Sequence, residues 1–216
     1  MTTGNPREAY AAGQFYPSSE KELKDEIKKC FLSELGPKAL PVKKKSRLLA
    51  GLIVPHAGYA FSGPCAAWAY KELAESMIPD TYVILGTDHK GFGSCVSLLD
   101  WKTPLGTAEN DREFGILLNQ EGVPVNEEAH SKEHSIEVQV PFLQFINSNP
   151  KIVPIIVSEE PDYKKIAEAI SILLKDKKLR KKLGKNARKT IEENYTWNAV
   201  SSRILGYYEL LVRDKL

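Results

Sequence analysis

Three continuous apolar runs constrain this chain most: LLAGLIV (48–54), TYVILG (81–86) and KIVPIIV (151–157). A run without polar alternation is the pattern of a strand covered on both faces. Stretches of helical character separate the three runs. SGPCAAWAYKELAE (62–75) reads as a helix with Ser62 as its N-cap, and NDREFGILLNQEG (110–122) as one ended by Gly122. SKEHSIEVQVPFLQFI (131–146) reads as a third, which Pro141 kinks or delimits. CVSLLD (95–100) reads as a short strand. Strand and helix in alternation imply an α/β fold, a layered sheet with flanking helices.

The ends differ from this body. Residues 1–20 read as an extended arm, and 20–35 as a helix with Leu23, Ile27, Phe31 and Leu35 on one face, stopped by Gly36-Pro37. The basic LPVKKKSR is a solvated connector. After Glu160 no strand-like run occurs, and about 162–175, 177–193 and 197–213 read as three helices in series. The expected organisation is an α/β domain over 1–158 and a helical tail over 159–216.

Charge and composition exclude several classes. A net charge of +2 gives no case for nucleic acid as a partner. No apolar run is long enough to span a bilayer, so no membrane partner is expected. MTTGNPREAY lacks the basic-then-apolar start of a signal peptide. The three cysteines, Cys30, Cys65 and Cys95, form no CxxC. An odd count without pairing motifs suits free thiols in the cytoplasm. Cys65, among alanines, reads as packing rather than as a nucleophile. GTDHKGFG (86–93) is not a GxGxxG fingerprint, so no nucleotide is expected.

All four histidines fall between residues 56 and 134. His56 follows LIVP and His89 follows VILGTD, so each is expected at the carboxyl end of a buried strand, where open α/β sheets bind ligands. Consecutive strands are usually neighbours. The two imidazoles should then lie within about 7 Å, close enough to share an ion. Neutral nitrogen ligands suit iron, copper, zinc or nickel. Asp88 could ligate or orient a ring. On a helix, His134 and Glu137 would share a face, with Glu133 alongside, making His134 an acid/base or a further ligand. His130 reads as ordinary surface. Trp101 reads either as a pocket wall or as a cap on the sheet.

Five ordered motifs carry a resemblance: AGQFYP (12–17), VPHAGYAFSG (54–63), LGTDH (85–89), KTPLG (102–106) and EHSIEVQVPFLQ (133–144). Over about residues 5–158 the chain resembles the Memo family, also known as protein B of the AmmeMemoRadiSam set. That family is similar in fold to class III extradiol dioxygenases, which hold non-haem iron with two histidines and a carboxylate. The resemblance implies His56 and His89 as metal ligands and His134 as a catalytic pocket residue, with Tyr59, Asp88, Glu133 and Glu137 around it. It implies iron or copper ahead of zinc, and radical-SAM and AMMECR-type partners. No SDxxH and no CGxxP follow Ser158, so the family's remaining ligand has no counterpart and the domain reads as truncated. IAEAISILLKDKKLRKKLGKNAR and the following YTW resemble the last helices of family 4 glycosyltransferases, without their donor-binding motifs. Three functions stay open: a metal-binding protein with oxidoreductase chemistry, a metal-free protein that holds a peptide or small molecule in the same cleft, and a chimeric product with little activity.

Overall fold

The structure, a computed structural model, describes residues 5–42, 49–158 and 162–173. Two units divide the chain, Met1–Ile170 and Ser171–Leu216. The first holds the sheet and the histidines. In the second only residues 171–173 are described, so the two later helices and most of the glycosyltransferase-like stretch lie outside the described residues.

The elements in order are α1 (Glu20–Leu32), α2 (Tyr59–Ala74), β1 (Tyr82–Thr87), β2 (Cys95–Val96), β3 (Trp101–Thr103), β4 (Gly106–Asn110), α3 (Arg112–Gln120), α4 (Glu127–Ser131), a 3-10 turn (Glu137–Gln139), α5 (Val140–Ile146), β5 (Lys151–Val157) and α6 (Asp162–Leu173). The sheet has five strands in the order β1-β5-β4-β3, and β2 also pairs with β5. β5 is central. β1 lies parallel to it along its whole length, from Tyr82 opposite Ile152 to Thr87 opposite Val157. Its other side is shared, with β4 parallel at Ile152 and β2 antiparallel at Ile155 and Ile156. KIVPIIV is therefore the best-buried strand, with Ile152 to Ile156 all inside.

The chemistry of the ends explains the helices. Ser19 caps α1 by accepting from Glu22 N–H, and Asp111 caps α3 by accepting from Phe114 N–H. Gly122, at φ +94°, leaves α3 in the left-handed conformation that side-chain-bearing residues avoid. Leu23, Ile27 and Phe31 of α1 are buried, and α1 packs on α2 and α5, where Phe31 meets Phe142 edge-on at 5.9 Å.

Several expectations fail for definite reasons. Residues 49–55 form no strand. Leu49, Leu52 and Val54 pack against the core, but Ile53 is 64% exposed, so the run's side chains find partners without its backbone joining a ladder. β1 is not covered on both faces, because Leu85 is largely exposed. α1 stops at Leu32, where Ser33 turns extended, and this leaves Leu35 outside the helix and exposed. Gly58, not Ser62, caps α2; the Ser62 hydroxyl instead donates to the Ala57 carbonyl. Cys65 is exposed, outside the core that its alanine neighbours Ala66 and Ala67 join. Trp101 is neither pocket wall nor cap: it is fully buried in β3, with the Arg7 guanidinium 4.0 Å above its ring. The β3–β4 hairpin was not expected at all.

The longest expected helix is divided. α4 ends at Ser131, and α5 begins at Val140, with Pro141 in its first turn, where a missing N–H costs nothing. Between them Glu133 turns its carboxylate onto the N–H groups of Ser135 and Ile136. Those donors leave the helical pattern, and the chain opens into the loop that carries His134.

Candidate metal centre

A buried ionic node fixes that loop. Arg7, 6% exposed, donates from Nε to the His130 carbonyl at 2.6 Å and from Nη2 to the Glu133 carbonyl at 2.6 Å. Its Nη1 lies 2.6 Å from Glu137 Oε2. Glu137, with no exposed surface, also accepts from the N–H groups of Tyr10 and Ala11 and from the Tyr16 hydroxyl. Both its oxygens are saturated. Burial, reinforced by the Glu137 charge, pushes the Tyr16 phenol far above its ordinary range, so it stays a donor. The node clamps the N-terminal arm to residues 130–137. The arm then delivers Phe15, whose ring lies 4.5 Å from that of His134.

Glu137 is thus an architectural anion inside the protein, with both oxygens committed away from any ligand role. The shared helical face expected for these two residues does not exist. Tyr59 is also buried, with its hydroxyl donating to the Val138 carbonyl. His130 is not surface but fully buried. Its Nδ1 lies 2.8 Å from the Asn126 carbonyl, which can only accept, so Nδ1 carries the proton. Nε2 has no hydrogen-bond partner among the described residues.

His56, His89 and His134 converge. Ring centroids are 5.3 Å apart for His56 and His89, 6.0 Å for His56 and His134, and 4.6 Å for His89 and His134. One nitrogen of each lies within 4.8 Å of the others. His89 stands just past the carboxyl end of β1, as expected; His56 reaches the site from the unpaired segment before α2. Burial first, then the neighbouring His89 ring, holds both His56 and His134 below the ordinary imidazole range. Their neutral forms are favoured, and these are the forms that ligate. No hydrogen bond joins any of the three rings to another described residue.

The donor set fits a transition ion. Nitrogens bound at about 2.0–2.1 Å lie at most about 4.2 Å apart, so a small closure of these side chains would complete a three-coordinate set. No carboxylate joins them among the described residues. Asp88 is occupied: burial works to raise its pKa, but the N–H groups of Gly93, Phe92, Lys90 and Gly91 outweigh it and hold the carboxyl below its ordinary range. Glu133 is committed to Ser135 and Ile136. A cleft of about 240 Å³ runs beside the cluster, lined by His89 and His134 with Tyr10, Phe15, Phe92, Lys90 and Lys132.

Sequence reasoning missed Arg7, Phe15, Ser135 and Gln139. Phe15 and the last two lie inside the motifs AGQFYP and EHSIEVQ, and their spacing gave no reason to prefer them to their neighbours. Arg7 had no local signal, since its partners lie more than 120 residues away.

The Memo-like protein family's sequence profile matches residues 7–183. A MEMO1 family protein of Sulfurisphaera tokodaii is 48% identical over 174 residues, covering 76% of this chain and 61% of the relative. One of Methanopyrus kandleri is 49% identical over 146 residues (65% and 52%), and one of Methanothermobacter thermautotrophicus 46% over 154 residues (69% and 56%). The chain therefore spans a little over half the length of these relatives. With the profile covering most of its residues and nearly half of all aligned positions identical, the chain belongs to the Memo-like protein family.

Proposed function

We propose that the chain binds one divalent transition-metal ion through His56, His89 and His134, and that the ion faces the adjoining cleft. The observation that carries this is the convergence of three unbonded imidazoles within 4.8 Å. Three protein ligands leave a coordination position open, as in catalytic rather than structural sites. When bound, the ion would supply Lewis-acid or redox chemistry. In this reading His134 is a ligand rather than the acid/base its sequence context suggests. Iron or copper is the ion favoured by membership of the Memo-like family, and an oxidoreductase acting on a small molecule is the activity that follows from its likeness to extradiol dioxygenases. The remainder of the longer relatives is the natural place for further ligands.

The test is elemental analysis of the gently purified chain beside His56→Ala, His89→Ala and His134→Ala. About one iron or copper per chain in the wild type, lost in each variant, supports the reading. Equal metal in all four proteins refutes it.

The metal-free alternative draws on one observation of its own. The aromatic rings of Tyr10, Phe15 and Phe92 and the ammonium groups of Lys90 and Lys132 line a cleft suited to a small molecule or peptide side chain. Binding there that persists in chelator and in the histidine variants would favour it.

A further inference from the structure

The three imidazoles stand on three segments that share no ladder: residues 49–58, the loop after β1, and the loop between α4 and the 3-10 turn. None of the rings is itself hydrogen-bonded, so their separation must be set through the backbone that carries them.

Two side chains of one short stretch do this. Ser135 Oγ accepts from the Thr87 N–H at 2.9 Å, two residues before His89, and its own proton goes to Glu133. Gln139 Nε2 donates to the Pro55 carbonyl at 3.1 Å and to the Ser135 carbonyl at 3.1 Å. Pro55 is covalently joined to His56, and Ser135 to His134. Gln139 is 5% exposed, and its orientation is fixed because the Tyr70 hydroxyl donates to its Oε1 at 2.8 Å. The amide nitrogen is thereby left facing Pro55. Among the described residues, the Pro55 carbonyl is the one group of residues 49–56 in a hydrogen bond. Leu52 and Val54 hold that segment to the core, but apolar contact has no direction. A hydrogen bond does, and it defines where the segment stops along its own axis.

We infer that Gln139 is a positioning residue that sets the reach of His56 toward His89 and His134 without touching the ring of any of them. The inference rests on the metal-binding reading above. Losing the amide leaves the Pro55 carbonyl without its donor and lets the His56 segment slide.

The experiment titrates the full chain with Co(II), read by its visible absorption, well below the melting temperature of each protein. Gln139→Met keeps length and removes both donors. It should weaken Co(II) binding about tenfold, the low end for loss of an outer-shell partner, and should alter the absorption bands. Tyr70→Phe frees the amide to turn and should give a smaller loss with the same spectral change. It also stands in for Gln139→Met should that protein fail to fold. His89→Ala should bind little or nothing. Wild-type affinity and spectrum in the folded Gln139 or Tyr70 variant, with His89→Ala defective, overturn the inference and leave the metal reading standing. A lowered melting temperature with an unchanged spectrum overturns it in the same way. Undiminished binding in His89→Ala overturns the metal reading and this inference together.

Discussion

Two groups of polar side chains meet at residues 130–137 and behave in opposite ways. Arg7 and Glu137 are buried, oppositely charged and saturated with partners. His56, His89 and His134 are reachable from solvent, and their rings make no hydrogen bond among the described residues. Burying a charge is costly unless every lone pair and proton is satisfied, so a saturated node is architecture. Three imidazoles held a few ångströms apart without such partners are the feature on which the proposed metal site rests. The comparison teaches that the strongest interactions of this molecule are not its chemistry. They are what holds the chemistry still.

The comparison breaks most sharply at Glu137. Glu137→Gln leaves the Arg7 guanidinium buried without its counter-ion and should cost about 3–5 kcal/mol of stability. Urea denaturation measures it. A loss under about 1 kcal/mol would mean the node does not clamp the arm.

Gly86 lies against Ser135 and Ile136, the two residues between His134 and Glu137. A Cβ there would run into Ser135 and Ile136, the stretch that follows His134. Gly86→Ala should cost about 1–3 kcal/mol through overpacking. It should also push the His134 loop away from β1, so metal binding and stability should fall together. Stability lost with metal binding intact would show that the loop moves as a rigid body.

Acid should act on the buried side through His130. Burial holds its folded-state pKa below the ordinary value. The unfolded chain therefore takes up a proton near pH 6.5, before the folded one does. Stability is full above that pH and declines as pH falls from about 6.5 toward the folded value. The denaturant midpoint of the metal-free chain should thus be lower at pH 5.5 than at pH 7.5, in His56→Ala as in the wild type. His56 and His134 shift in the same direction, so the slope should be shallower in the variant. Its disappearance there would place the acid sensitivity in the cluster instead.

The smallest stability effect belongs to the cluster. Each single histidine-to-alanine change should shift metal-free stability by no more than about 0.5 kcal/mol. A larger loss at the exposed His89 would make that ring structural.

Legibility in the sequence followed the range of the interaction. The strands 82–87 and 151–157 are visible as apolar runs, although that pattern matches full burial only in 151–157 and gives no strand at 49–55. The convergence of His56 and His89 was also legible, though for a reason only half right: His89 does follow a strand, while the segment before His56 is anchored by Gln139 rather than by a ladder. Helical spacing over 131–146 concealed the break at Glu133, because capture of two N–H groups by a side chain leaves no mark in apolar periodicity. The β3–β4 hairpin had a signal in Pro104-Leu105-Gly106, with Gly106 at φ +115°, between runs too short to stand out. The burial of His130 was invisible, since Arg7 and Trp101, which close over it, are distant in sequence.

The most direct test of the central claim is X-ray absorption at the metal edge of the iron- or copper-loaded chain. Three nitrogen scatterers at about 2.0–2.1 Å are expected, each with the outer-shell signature of imidazole. A sulfur scatterer near 2.3 Å, or fewer than three imidazoles on the metal, would contradict the three-histidine site.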